Sequence, residues 1–294
     1  MSSDQAIGRF APSPTGDLHF GSLVSAVGSF LEAKITDGSW LLRIEDIDPP
    51  REIAGSANRI IQDLERLGLV PDGPVLYQSS RLDAYNDAIN QLQDMGLAYH
   101  CACSRKDLPK SGVYPGTCRN GIAEGKKPRA IRFHVDHDVC VFDDKVQGQI
   151  SEYPAAISGD FIIRRADGLF AYQLAVVVDD DFQGVTQVVR GADLLDSTSR
   201  QICLQKALGL KSPGYMHLPV VVSSDGRKLS KQLQADPLKT RDPAYAVGQA
   251  LGFLGHKPPA NLSLKDLWDW AIEHWNSNLI PQTRAAQSSL VSAL

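Results

Sequence analysis

The chain is 294 residues long, 43% hydrophobic and 22% charged, enough to bury a substantial core and to carry more than one structural unit. Its formal net charge is −4, which excludes a module that binds nucleic acid through overall basic character while leaving room for a local basic face. The five cysteines, an odd number, favour a reducing compartment over a disulfide framework. No apolar run is long enough to cross a bilayer, and the start Met1-Ser-Ser-Asp-Gln-Ala lacks the basic and apolar parts of a secretory signal, so a cytoplasmic enzyme without membrane contact is expected.

The first informative stretch is Arg9-Phe-Ala-Pro-Ser-Pro-Thr-Gly-Asp-Leu-His-Phe-Gly-Ser22. A short apolar strand over Ile7 to Ala11 is predicted. Pro12 and Pro14 end it, because neither ladder nor helix tolerates them there. His19-Phe-Gly-Ser22 then opens a helix whose apolar face carries Leu23, Val24, Val27, Phe30 and Leu31. A strand, a rigid turn and a helix N-terminus together offer backbone N–H groups and a positive dipole end to a phosphate. His19 can donate to a phosphate oxygen, and Gly21 admits a flat ring close to the backbone. An ordinary turn with a capping Ser explains the local pattern equally well.

Trp40-Leu-Leu-Arg-Ile-Glu-Asp-Ile-Asp48 reads as a buried strand with an acidic end, closed by Pro49-Pro50. Helical spacing follows over Ala54 to Leu67, stopped by Gly68, and over Arg81 to Met95, stopped by Gly96. Strands separated by helices predict a parallel α/β sheet with ligands beyond its carboxyl ends, where Ala11–Gly21 and Glu45–Asp48 then lie. The Gly-x-Gly-x-x-Gly fingerprint is absent and Gly121 to Lys126 misses the P-loop spacing, which weakens dehydrogenase and P-loop readings.

From Tyr99 the texture changes to a segment rich in Gly, Pro and Lys that runs to Arg129. Cys101, Cys103 and Cys118 form a three-thiolate set, and zinc requires a fourth ligand, for which Tyr114 and His100 both qualify. The scarcity of apolar residues around them favours a metal over three unrelated buried cysteines. Cys140 and Cys203 stand alone and read as core residues.

Asp160-Phe-Ile-Ile-Arg-Arg and Leu169-Phe-Ala-Tyr172 flank the hairpin signal Ala166-Asp-Gly168. Gln173 to Val178 is strongly apolar and reads as a core strand ending at Asp179-Asp-Asp181; Val185 to Val189 reads as another, delivering Arg190 at its end before a helix from about Asp193 to Leu208. An Arg at such an end can clamp a carboxylate or phosphate, and a salt bridge to a nearby aspartate is the plainer alternative. His217 to Val222 predicts a strand. After it, Ser223 to Gln232 is a Gly turn carrying Lys228 and Lys231 around Ser230, which suits a loop closing on a polyphosphate as well as a solvated basic loop. Helices are predicted over Tyr245 to Leu254, over Asn261 to Trp275 with Ser263-x-x-Asp266 as its capping box, and over Ala285 to Leu294.

Together these pieces resemble the class I aminoacyl-tRNA synthetases, specifically the glutamyl branch. His19-Phe-Gly-Ser22 resembles the HIGH motif and Lys228-Leu-Ser-Lys-Gln232 the KMSKS motif. Arg9 to Gly16, Leu42 to Asp48, Val176 to Asp180 and Val189-Arg-Gly191 resemble glutamyl-enzyme blocks over roughly residues 7 to 240. Within that branch the chain is most similar to the glutamyl-Q tRNA(Asp) synthetases, short paralogues that attach glutamate to queuosine at the wobble position. The stretch after Gln232 is too short for the anticodon-binding domain of a full glutamyl-tRNA synthetase, and Cys101, Cys103, Tyr114 and Cys118 match that family's zinc site, which favours Tyr114 over His100.

The resemblance implies a Rossmann-like α/β catalytic domain with an inserted zinc-containing acceptor-type subdomain and a short helical C-terminal region. The expected partition is 1–98 and 160–222 as the two halves of the catalytic fold, 99–159 as the insert, and 223–294 as the KMSKS-like loop and C-terminal helices. It also implies glutamyl-adenylate formation, with His19, Lys228 and Lys231 as catalytic residues and His19, Gly21, Ser22, Lys228, Ser230 and Lys231 around ATP and its Mg²⁺. Arg9, Phe10, Ala11, Pro12, Ser13, Glu45, Tyr172 and Arg190 are expected around L-glutamate: Arg9 and Arg190 for the side-chain carboxylate, Glu45 for the α-ammonium, Tyr172 as a hydrogen-bond donor. One structural Zn²⁺ per chain, queuosine-containing tRNA(Asp) as acceptor and a monomeric enzyme complete the expectation. Leu229 and Gln232 depart from the motif, and both lysines remain. A synthetase charging tRNA(Glu) and a non-catalytic RNA-binding paralogue stay open as alternatives.

Overall fold

The computed structural model describes residues 5–223, 238 and 241–287. The elements are β1 (Ile7–Phe10), α1 (Phe20–Lys34), β2 (Ser39–Ile44), α2 (Ser56–Arg66), β3 (Leu76–Tyr77), α3 (Leu82–Asp94), β4 (Ala98–Cys101), β5 (Ala130–Phe133), β6 (Cys140–Asp144), β7 (Gly148–Glu152), α4 (Pro154–Ile157), β8 (Phe161–Arg164), α5 (Tyr172–Phe182), β9 (Gln187–Gly191), α6 (Leu195–Leu208), β10 (Gly214–Leu218), β11 (Val220–Val222), α7 (Pro243–Phe253), α8 (Leu264–His274) and β12 (Ala285–Gln287).

The main sheet has seven strands in the order β3-β2-β1-β9-β10-β6-β7, parallel throughout except where β6 meets β7. The order reverses between β1 and β9, so their carboxyl ends diverge and leave a crevice at Arg9-Phe10 and Arg190. A smaller antiparallel sheet, β4-β5-β8, stands apart. Strands within 99–159 are therefore shared between the two sheets: β5 builds the small one, while β6 and β7 extend the main one.

Helix α1 packs against the strands through Leu23, Val24, Val27 and Leu31, all essentially without exposure, in a core shared with Trp40, α7 and α8. A Cβ at Gly28 would stand 2.6 Å from Leu218 Cδ1, so glycine is what lets α1 approach β10 this closely. Helix α8 starts as its capping pattern predicts, with Ser263 Oγ accepting from the Asp266 backbone N–H, and it buries Leu267 and Trp268. Cys140 is buried and Cys203 half-buried, both in apolar clusters as expected.

Three elements differ from expectation. The strand expected over His217 to Val222 is split by Pro219 into the end of β10 in the main sheet and β11 beside β12. Gln173–Val178 lies in helix α5, packed on α3 and α6, and not in a strand. The five apolar residues Leu174–Val178, the first four of them buried, carry no period to separate the two, and the valines favour the wrong one. Ala285–Gln287 forms strand β12, pairing in parallel with β11, where a helix was expected; residues 288–294 lie outside the described part. The Ala166-Asp-Gly168 turn forms as predicted, closed by a single Arg164–Phe170 bridge before the chain enters α5.

Candidate active site and metal centre

Every glutamate-site residue expected from the sequence lies on one cleft of about 590 Å³ at the crevice of the main sheet. Arg9, Phe10, Ala11, Pro12 and Ser13 come from the end of β1, His19, Gly21 and Ser22 from the start of α1, Glu45 from beyond β2, Tyr172 from the start of α5 and Arg190 from β9. Pro219, Val220 and Val221 close its far side. Lys228, Ser230 and Lys231 lie outside the described residues.

Arg190 is 5% exposed and donates to four neutral groups. Its Nε reaches His217 Nε2 at 3.0 Å, its NH2 reaches Thr198 Oγ1 at 2.9 Å and Gln201 Oε1 at 2.7 Å, and its NH1 reaches Tyr172 Oη at 3.1 Å. The alternative of a salt bridge to a nearby aspartate is not what forms. A buried guanidinium whose hydrogen bonds carry no compensating charge is prepared for an anion.

Arg9 is held differently. Its Nε donates to Asp180 Oδ1 at 2.9 Å, and the same oxygen accepts from Arg43 NH2 at 2.8 Å. Burial opposes ionisation of Asp180, yet the two guanidinium groups outweigh it and hold the carboxyl below the usual range. The remaining Arg9 contacts, NH1 to Val189 O and NH2 to Asp180 Oδ2, are both at 3.5 Å, so that end of the fork is weakly engaged and free to turn to a ligand.

Glu45 hangs from the same turn, its backbone N–H donating to Pro12 O at 2.9 Å. Burial pushes its carboxyl up to about 7, with Arg43 and Arg9 offsetting only part of that cost. A folded-state value above the ordinary 4.5 means that this group costs stability progressively as pH rises from about 4.5 through 7. On the expectation that Glu45 receives an α-ammonium, the incoming cation would relieve this cost by pairing with the carboxylate. KM for glutamate is therefore expected to climb as pH falls below 7, by about tenfold per unit once the proton dominates. Glu45→Gln raises KM, removes that slope, and leaves the fold at least as stable at pH 8. Initial rates at pH 6, 7 and 8 check this, and a parallel slope in Glu45→Gln would contradict it.

His19 is the N-cap of α1. Its Nδ1 accepts from the Ser22 backbone N–H at 3.1 Å, and Ser22 Oγ lies 3.1 Å from Nε2. The capping side chain is thus the histidine and not Ser22. A Cβ at Gly21 would come within 3.1 Å of this ring, so Gly21 here makes room for His19 itself.

The second constellation lies off the small sheet. The Sγ atoms of Cys101, Cys103 and Cys118 all fall within 4.8 Å of one another. Cys103 Sγ is 3.7 Å from Cys118 Sγ, and Tyr114 Oη is 3.4 Å from Cys101 Sγ and 3.7 Å from Cys103 Sγ. Metal–ligand bonds of about 2.3 Å to sulfur and about 2.0 Å to oxygen at tetrahedral angles demand S···S of about 3.8 Å and S···O of about 3.5 Å. The donor set fits a four-coordinate ion. His100 is exposed, its Nε2 near Gln93, and takes no part. Arg132 donates from Nε to Cys101 Sγ at 3.3 Å and stacks 3.7 Å over the Tyr114 ring, placing a buried cation beside ligands that are anionic when metallated.

Sequence reasoning missed Asp180, Arg43, Thr198, Gln201, His217 and Asp144. The visible signal was charge inside apolar runs, as in Leu42-Arg43-Ile44 and Val178-Asp179-Asp180, which a buried partner must explain.

The family described as tRNA synthetases class I (E and Q), catalytic domain, matches residues 6–112 and 113–242. The chain belongs to this family. As a class I synthetase it is 50% identical over 287 residues to a glutamyl-Q tRNA(Asp) synthetase of Dechloromonas aromatica, covering 94% of this chain and 95% of the relative. It is 49% identical over 298 residues to that of Cronobacter sakazakii, across the whole of both. The solved glutamate-tRNA synthetase of Elizabethkingia anophelis shares its fold at a TM-score of 0.80 and 26% identity, over 97% of this chain and 68% of that one. The described helices of this synthetase include none long and apolar enough to cross a membrane.

Proposed function

We propose that the chain activates L-glutamate with ATP and transfers it to the queuosine base of tRNA(Asp). The observation that carries the amino-acid assignment is Arg190, a buried cation hydrogen-bonded only to neutral groups and sharing one cleft with Glu45. An anionic side chain satisfies the first and an α-ammonium the second, which suits glutamate and disfavours glutamine. The names of relatives alike over nearly their whole length support queuosine as the acceptor.

In the first step an α-carboxylate oxygen of glutamate attacks the α-phosphorus of ATP, and the bond to pyrophosphate breaks. The protein supplies no nucleophile; it aligns the two reactants and stabilises charge on the phosphates. Arg190 and the free end of Arg9 hold the side-chain carboxylate, Tyr172 steadies it, and Glu45 takes the α-ammonium. The ring of His19 and the first N–H groups of α1 face the phosphates, while Lys228 and Lys231 with Ser230 are assigned to clamp them, Mg²⁺ accompanying ATP. In the second step a queuosine hydroxyl attacks the adenylate carbonyl and AMP leaves.

Cys101, Cys103, Tyr114 and Cys118 are proposed to hold one structural Zn²⁺, since four protein donors leave no open position for substrate. Around them Arg105, Lys106, Lys110, Lys126, Lys127 and Arg129 are all exposed. That basic loop on an acidic chain suits an RNA backbone. We place the enzyme in the cytoplasm as a monomer whose catalytic fold is built from 1–98 and 160–222, with β6 and β7 of 99–159 added to its main sheet and β8 given to the small one. Glutamate-dependent exchange between pyrophosphate and ATP, without tRNA, tests the activation step; exchange with glutamine in place of glutamate, or none at all, would overturn it.

A further inference from the structure

Arg190 is positioned from behind by groups that do not touch the cleft. His217 is fully buried, as is Thr198, and Gln201 and Asp144 are nearly so; none of the four lines the cavity. Asp144 Oδ2 lies 2.6 Å from His217 Nδ1, and Nε2 of the same ring accepts from Arg190 Nε at 3.0 Å. Since Nε2 must be an acceptor there, the ring proton sits on Nδ1 and is donated to Asp144. Burial keeps the imidazole neutral, and the neighbouring Arg190 adds to that preference against the pull of Asp144.

We propose that Asp144 and His217 are positioning residues for glutamate recognition, fixing the Arg190 fork so that its NH1 edge, beside Tyr172 Oη, faces the substrate carboxylate. Nε and NH2 are both occupied by interior acceptors, and only NH1 borders a group that lines the cleft. Asp144 is itself over-determined: Oδ1 accepts from the backbone N–H groups of Val146 at 3.1 Å, Gln147 at 2.8 Å and His217 at 3.1 Å. An amide at position 144 must point its NH2 either at Nδ1 or at those three donors. In the first case the ring proton moves to Nε2 and opposes the Arg190 N–H; in the second the strand end is disturbed. This links β6, two strands over from β9 in the main sheet, to the amino-acid site.

The inference rests on the glutamate reading given above. The test is ATP–pyrophosphate exchange, with KM for glutamate and KM for ATP measured separately in wild type, Asp144→Asn, His217→Leu and His217→Gln. Asp144→Asn and His217→Leu are expected to raise KM for glutamate by about tenfold or more with KM for ATP unchanged. His217→Gln, whose Oε1 replaces Nε2 as acceptor, returns it to within about threefold of wild type. If His217→Leu does not fold, Asp144→Asn and His217→Gln still decide. Unchanged KM for glutamate, or both KM values rising together, would overturn the positioning role. A wild type without glutamate-dependent exchange would instead overturn the proposed function, so the two failures are distinguishable.

Discussion

Replacing Arg190 by methionine is expected to lower kcat/KM for glutamate about 10³-fold in the exchange reaction, while KM for ATP stays near the wild-type value. Truncating one member of a buried, hydrogen-bonded charge pair costs about 2–5 kcal/mol, most of it from leaving the other charge without its partner. On the proposed assignment the abandoned charge is the substrate's side-chain carboxylate, brought into a cleft whose other cation, Arg9, is already shared with Asp180. Methionine keeps the stem's volume but strands the acceptors on His217, Thr198 and Gln201, so some stability is lost as well. Arg190→Lys separates the effects. It restores the charge but not the planar fork, cannot reach four partners at once, and is expected to recover only part of the loss. Exchange kinetics with glutamate and ATP varied in turn, with thermal denaturation as the control for folding, measure both variants. Equal losses of affinity for glutamate and ATP would mean a general collapse of the cleft and not a lost carboxylate contact.

The second large effect is expected on metal removal. Residues 102–129 contain a single short 3₁₀ turn, Arg105–Asp107, and pack around a small cluster of Cys101, Tyr114 and Cys118 with a few half-buried neighbours. So little apolar burial does not hold a loop of this length in one conformation, whereas four metal–ligand bonds do. Purified protein is expected to carry about one equivalent of zinc. Cys118→Ser, or treatment with a strong chelator, should release it, open cleavage sites for protease between 102 and 129, and lower Tm by about 5 °C or more. Glutamate-dependent exchange should survive, because the described residues lining the cleft include none of the ligands. His100→Ala should keep its metal. A metal-free wild type, or a Cys118→Ser protein with full metal and an unchanged digestion pattern, would remove this centre.

Much of the candidate site's lining was legible before the fold because its parts are chemically distinctive and fixed at strand ends. A proline-bounded turn after β1, a carboxylate after β2 and an arginine at the end of β9 are dictated by the backbone, and a parallel sheet gathers strand ends into one crevice. The cysteine cluster that could hold a metal was legible for a similar reason, since thiolates two residues apart and a third across a Gly/Pro loop have few other uses. What stayed hidden is the layer behind those groups. His217 is the last but one residue of a strand in an apolar stretch, and Asp144 ends a strand some seventy positions earlier; no local pattern links them. Asp180 was masked by the misreading of α5, because only a helix turns Asp179 and Asp180 inward onto different partners: Gln78, Arg81 and Tyr85 for the former, Arg9 and Arg43 for the latter. The division of 99–159 between two sheets was equally unreadable, since strand partners set it and not composition.

The destination of the activated glutamate is tested most directly by charging with labelled L-glutamate. Queuosine-containing tRNA(Asp), the same tRNA without queuosine, and tRNA(Glu) are compared under one set of conditions. Label on queuosine-containing tRNA(Asp) alone is the expected result. Label on the queuosine-free transcript or on tRNA(Glu) would contradict it.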